Sequence, residues 1–223
     1  MEINPDSIVI VQLGPVALNA TLVFTWVVML LLVGMAQLVT RRITSQPPYS
    51  RWQMMLEAVV SYMQDQIREV TSGKTARYLP FLGTLFLFIS LANFLSIVPG
   101  YHAPTGSLST TGALAACVFV AVPAYGIARS GLKGYLAHYV RPSALMHPFH
   151  VIGELLRTPT LAVRLFGNVM SGTLIVAVLL TVVPVIFPAV MQALQLLIGQ
   201  IHAYIFAVLA MVYIASASRI QDN

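Results

Sequence analysis

Between residues 165 and 218 the chain carries no Lys, Arg, Asp or Glu, and most positions are apolar. Water cannot hold such a stretch. In lipid its backbone N–H and C=O groups have no solvent partner, so it must be helical. Composition extends this to the whole molecule: 58% of the 223 residues are hydrophobic and only 9% charged, so most of the chain is solvated by lipid. The expected class is an all-α, polytopic integral membrane protein forming a single membrane domain over residues 1–223. Cys117, the one cysteine, lies in an apolar run, which excludes an intrachain disulfide and predicts a small buried hydrophobe. Glu2 and Asp6 stand where a signal peptide would have basic residues, so no cleaved leader is expected.

Five membrane-embedded helices and one surface helix follow from the pattern. Residues 16–40 form an uncharged run long enough to cross the hydrocarbon, completing an N-terminal unit over 1–45. Residues 79–128 contain two spans, near 79–98 and 110–128, parted by a loop with Pro99, Gly100, Pro104 and Gly106. Residues 146–218 read as a long helical hairpin, broken at Pro184 and Pro188, whose arms exceed a minimal span, which implies tilt or partial running along the surface. Over 50–72, Trp52, Leu56, Val59, Met63, Ile67 and Val70 recur at helical spacing, with Glu57, Asp65, Arg68 and Glu69 on other faces. That segment predicts an amphipathic helix on the membrane surface, or one packed on a soluble partner.

The basic residues orient the spans. Arg41, Arg42, Arg51, Arg68, Lys74 and Arg77 precede the second span, Arg129, Lys133 and Arg141 follow the third, and Arg219 ends the hairpin. Loops 99–109 and 181–190 have none. Positive charge stays on the cytoplasmic side, so the N-terminus is expected outside and the C-terminus inside. Scattered at segment ends in this way, the positive charge does not suggest nucleic acid.

Within the hairpin, His150, Glu154, Arg157, Arg164, Asn168 and Ser171 share one helical face, with Leu161 at the intervening position. The next helix carries a thinner stripe of Gln192, Gln195, Gly199 and His202, continued by Leu209 and Tyr213. Two such stripes on antiparallel neighbours can line an aqueous or ion-conducting seam. Simpler roles exist for several of these residues. Glu154 and Arg157 can form a local ion pair, Arg157 can snorkel, and Asn168, Gln192 and Gln195 can serve as interhelical hydrogen-bonding groups. Arg164 differs, because it keeps its charge at membrane depth and has no acid one turn away. Its counter-charge is expected from another helix or another chain.

The string Arg164-Leu165-Phe166-Gly167-Asn168, followed by Ser171-Gly172 and preceded by Glu154-Leu155-Leu156-Arg157, resembles the membrane a subunit of bacterial-type rotary ATP synthases. Leu91-Ala92-Asn93-Phe94-Leu95-Ser96-Ile97-Val98-Pro99-Gly100 resembles that family's second-span ending, and His202-Ala203-Tyr204-Ile205-Phe206-Ala207-Val208-Leu209 its last helix. Three motifs in family order, over residues 50–218, make the resemblance specific. It implies a stator in the bacterial inner membrane, with no enzymatic activity of its own, no cofactor and no bound metal. The implied partners are a ring of c subunits, b-type peripheral stalk subunits, the remaining ATP synthase subunits and membrane lipid, with no nucleic acid.

The resemblance also assigns roles. Arg164 matches the family's essential ion-translocation arginine and Asn168 its neighbour. Two half-channels are implied, carrying protons or sodium ions to and from a c-subunit carboxylate, with protons favoured on family frequency. The chain departs from the familiar pattern at Thr173, Gln195, His202 and His150, and Pro159 sits one position late. The outer path is therefore expected to run through Asn168, Thr173, Gln195 and His202, with His202 its one titratable group. The cytoplasmic path is expected to use His150 and Glu154. Three rival readings exist: a stand-alone transporter or channel with Arg164 as its site, a haem protein using His150 and His202, and a purely structural scaffold. Transporters usually show internal repeats, which are missing here, and the two histidines lie toward different regions of the hairpin.

Overall fold

A computed structural model of the chain describes residues 9–13, 16–41, 51–70, 75–98, 100–140, 147–182 and 186–219. Six α-helices make up nearly all of it: α1 (Ala20–Thr40), α2 (Arg51–Val70), α3 (Thr75–Phe94), α4 (Leu108–Val140), α5 (His147–Val182) and α6 (Ile186–Arg219). Five of these are long and apolar enough to cross a membrane, within Ala20–Leu38, Arg77–Ile97, Leu108–Ala128, Leu156–Val182 and Ile186–Ser216. The protein is thus a polytopic helical membrane protein. At 1.5 Å per residue, α5 and α6 are each roughly 50 Å long against a hydrocarbon core of about 30 Å, longer than a straight crossing needs.

The first span starts later than its composition suggests. Val16–Asn19 forms strand β2, paired antiparallel with β1 (Val9–Leu13), and the helix begins at Ala20. β-Branched Val9, Ile10, Val11 and Val16 suit strands, and the sequence places Gly14-Pro15, a turn-forming pair, between the two. At the other end of the second hairpin, α4 changes direction at Gly131, whose φ of 70° and ψ of 163° glycine adopts without steric cost.

The core forms where α3, α4, α5 and α6 meet, around Tyr78, Leu82, Ile89, Val118, Leu165 and Ile214. On α6, Gly199, Ala203, Ala207 and Ala210 recur at three and four residue steps and are all buried. Small residues at this spacing let helices approach closely, which is how membrane helices gain packing energy without a hydrophobic force between them. Amide side chains then bridge the approach. Asn93 Nδ2 donates to the Gly199 carbonyl at 2.9 Å, Gln200 Nε2 to the Ser90 carbonyl at 3.0 Å, and Gln192 Nε2 to the Ser96 carbonyl at 2.9 Å.

α2 packs one face on this core. Ile67 is buried, Val59 and Met63 are half-buried, and Tyr204 Oη of α6 donates to Gln66 Oε1 at 2.8 Å. Glu57, Asp65, Arg68 and Glu69 are exposed. The side chains of Trp52, Leu56 and Val70 lie outside the described residues. Cys117, expected to be buried, is exposed instead, because the outer side of α4 faces lipid, where a small apolar side chain needs no cover.

The largest difference from expectation is the connection between α3 and α4. A turn at Leu95–Ile97 and another at Pro104–Gly106 fold the chain back among the helices, and Ala103, Pro104, Thr105, Gly106 and Ser107 are all buried. Burial is tolerated because the polar groups are satisfied. Thr105 Oγ1 donates to Asn93 Oδ1 at 3.2 Å, the Gly106 N–H to the Ala103 carbonyl at 2.9 Å, and Thr111 Oγ1 to the Ser107 carbonyl at 3.1 Å. A Cβ on Gly106 would lie 3.5 Å from Val169 Cγ1, so the turn reaches α5 at mid-helix.

A Cβ at position 199 would stand 3.1 to 3.2 Å from the Asn93 side chain, so Gly199→Val forces α3 and α6 apart. The expected cost is about 1–3 kcal/mol, read as a lower midpoint of thermal denaturation in detergent. An unchanged midpoint would contradict the close approach.

Candidate functional site

The half of α5 from Arg164 to Leu180 has two contrasting sides. Leu161, Leu165 and Val169 are buried against the other helices, which fixes the rotation of α5 about its axis. That rotation leaves Val163, Arg164, Gly167, Ser171, Leu174 and Val178 exposed. On α6, Val190, Leu194, Leu197 and Ile201 are likewise exposed. Arg164 is therefore a charge on a broad apolar surface. Among the described residues no acidic side chain pairs with it. Beside it, Leu161, Leu165, His202, Phe206 and Leu209 complete a small cleft.

One turn from Arg164, Asn168 begins a cavity of about 480 Å³ that runs along α5 as far as Leu180. α5 supplies Asn168 and Thr173, α6 supplies Gln192 and Gln195, α3 supplies Asn93, and the connection that follows it supplies Ser96, Tyr101 and His102. The polar lining is made of hydroxyls, amides, a phenol and an imidazole. No carboxylate lines it among the described residues. Apolar side chains, Val98, Val169, Val176 and Leu180 among them, complete the wall, and the space is roomy enough for water.

Local bonding shapes the lining. Thr173 Oγ1 donates back to its own helix, 2.9 Å from the Met170 carbonyl, which leaves its oxygen lone pairs for the cavity. Gln195 reaches across to the Val169 carbonyl at 3.4 Å by lying over Gly172, where a Cβ would stand 2.6 Å from its Cδ. The Tyr101 hydroxyl is buried without a hydrogen-bond partner, and burial pushes its phenol above the ordinary range, so it is neutral at physiological pH.

Of the four residues expected on the outer path, the structure brings Asn168, Thr173 and Gln195 to this cavity. His202 is not part of its wall. It lines the cleft beside Arg164, with Nδ1 3.0 Å from the Ile198 carbonyl; a carbonyl only accepts, so Nδ1 is the donor of this contact. The side chains of His150 and Glu154 lie outside the described residues. Arg157 stacks on α6, its guanidinium 5.0 Å from the centre of the Tyr213 ring.

Sequence reasoning missed Asn93, Ser96, Tyr101 and His102 as cavity groups. Asn93 and Ser96 sit three residues apart where an uncharged run ends, Asn93 on α3 and Ser96 in the turn after it, a spacing that is a readable sign of a shared polar side. Tyr101 and His102 gave no such sign, since they stand in what looks like a solvated turn.

The fold and site define a class: a polytopic membrane protein with a cavity, lined in part by polar groups, between long helices, and just beyond its end an arginine that no acid among the described residues pairs. Comparison with known proteins gives the family. Residues 22–215 match the ATP synthase A chain family, and the protein belongs to it. The chain is 54% identical to ATP synthase subunit a 1 of Crocosphaera subtropica over 223 residues, covering 100% of this chain and 97% of that relative. It is 53% identical to ATP synthase subunit a 1 of Chlorobaculum parvum over all of this chain and 99% of that one. It is also 54% identical to ATP synthase subunit a of Albidiferax ferrireducens over 98% and 95% of the two chains. The protein is accordingly a membrane-sector component of an ATP synthase, without nucleotide chemistry of its own.

Asn93 is the test of how the site is held. Asn93→Leu removes the bonds to the Gly199 carbonyl and to Thr105 Oγ1 and leaves both buried, so it costs about 1–3 kcal/mol. The expected readout is a lower denaturation midpoint in detergent.

Proposed function

We propose that the chain is the stator of a rotary ATP synthase, and that Arg164 is the electrostatic gate between two ion half-channels serving a rotating ring of c subunits. One observation carries this reading: Arg164 is exposed on an otherwise apolar, uncovered side of α5 and α6, one turn from the end of a polar cavity. A fixed charge in that position needs a partner from another chain, and a rotor carboxylate supplies one.

The physics of the cycle follows. A carboxylate travelling through lipid must be neutral, protonated or sodium-bound, because a bare anion there is too costly. Opposite Arg164 it ionises, since an opposite charge within hydrogen-bonding reach lowers a carboxylate pKa by roughly 1–3 units against the rise that burial causes. The released ion leaves by one half-channel. Past the arginine, the carboxylate is reloaded from the other, and the fixed positive charge blocks direct leakage of cations between the two. The transmembrane potential, roughly 2.3 kcal/mol per charge per 100 mV, biases the direction.

In this reading the 480 Å³ cavity is the outer half-channel, with Asn168, Thr173 and Gln195 along it and His202 beside Arg164 at its inner end. His150 and Glu154 serve the cytoplasmic half-channel. The N-terminus lies outside and the C-terminus in the cytoplasm of a bacterial inner membrane. The exposed apolar side of α5 and α6 meets the c-ring, and b-type stalk subunits hold the stator in place. Protons are the favoured coupling ion.

In the reconstituted complex, Arg164→Ala is expected to abolish both ATP-driven ion pumping and ion-driven synthesis while ATP hydrolysis persists. Normal pumping by that variant would end the proposal. Pumping in sodium-free buffer, with and without added sodium, decides the ion, and strict dependence on sodium would overturn the proton assignment.

A further inference from the structure

His102 lines the outer cavity, yet the ion route as described gives it no role. Its ring is half-buried and lies 6.2 Å from that of Phe24 on α1, tilted by 58°. Tyr101 meets the same phenyl ring edge-on at 4.9 Å. A side chain from the first span thus lies beside both rings of the turn, and His102 takes part in the cavity wall.

Among the described residues the surroundings of this imidazole are uncharged. α3, α5 and α6 present amides and hydroxyls to the cavity, α1 presents Phe24, and the turn itself presents Tyr101, whose phenol burial keeps neutral. Arg164 and His202 line a separate cleft. Among the described residues no carboxylate and no second base lines the cavity. A proton taken up by His102 therefore adds a positive charge that no described side chain of this wall neutralises, in a space bounded largely by apolar groups, where charge is screened less than in bulk water.

We propose that His102 is the charge-setting residue of the outer cavity, admitting a cation when its ring is neutral and repelling one when it is protonated. The inference rests on reading this cavity as an ion route. It holds for protons and for sodium ions alike, because the repulsion acts on any cation. Imidazole is the side chain that ordinarily changes charge between roughly pH 5 and pH 8, which sets the range over which the test is made.

The test uses the whole ATP synthase complex in liposomes, with ATP synthesis driven by a potassium diffusion potential and both faces held at the same pH. Rates are normalised to the ATP hydrolysis of each preparation at that pH. His102→Gln keeps the polar character of the wall and removes the switchable charge. The rate of His102→Gln relative to the unsubstituted complex is expected to rise on the order of tenfold as the pH is lowered from about 8 to about 5. His102→Asn, a second neutral replacement, should behave alike, and His102→Arg should be slow at every pH. A pH-independent ratio for both neutral variants would overturn the inference and assign the acid response elsewhere, His202 first. So would His102→Arg running at the unsubstituted rate. The underlying reading is separated by Arg164→Ala: if that variant still synthesises ATP, the ion route itself is wrong, whereas a flat His102 ratio with Arg164 essential removes only the role of His102.

Discussion

Lipid supplies no hydrogen bonds, and the amide clamp between α3 and α6 is the structure's answer to that constraint. Asn93 bonds the Gly199 carbonyl, Gln192 bonds the Ser96 carbonyl, and Gln200 and Ser90 bond each other twice. Each contact is modest in net terms, about 1 kcal/mol, but a buried amide left unpaired costs more than its bond contributes. The clamp therefore sets register more than it adds stability. Asn93 also receives the Thr105 hydroxyl, so the same residue pins the turn that closes the cavity. Asn93, Ser96 and Gln192 hold the helices and line the space between them.

With α3, α4 and α6 fixed, only one side of α5 can be buried. Leu161, Leu165 and Val169 take that side, and helical geometry carries Arg164 outward. Exposure of Arg164 is thus a consequence of packing elsewhere. Under the proposed function the two are linked: the apolar surface around Arg164 is what another chain must cover, and covering it would dry the guanidinium and strengthen its hold on a carboxylate.

Much of the fold was legible because its signals are periodic. Uncharged runs gave the spans, helical spacing gave the faces of α2, α5 and α6, and the motif around Arg164 gave the family. What was not legible depends on contacts between elements. The strand at Val16–Asn19 looks as apolar as the helix it precedes. Thr105 and Ser107 look like a solvated turn until Asn93 is seen to receive Thr105. His202 shares a helical stripe with Gln195, yet seven residues bring it to the level of Arg164, while His102, far away in sequence, reaches the cavity. Spacing along one helix orders residues by height, but which wall they join is set by neighbours.

The buried turn has a practical consequence. Connections between spans are the usual places for an epitope tag, a cleavage site or an inserted domain, because little depends on them. Here the segment around Thr105 behaves as interior, sealed under α1 and wedged against α5 at Val169. A tag placed there would be hidden from antibody and protease when the protein folds, and would displace the wall of the cavity when it does not stay hidden. The chain's most engineerable-looking loop is a part of its core.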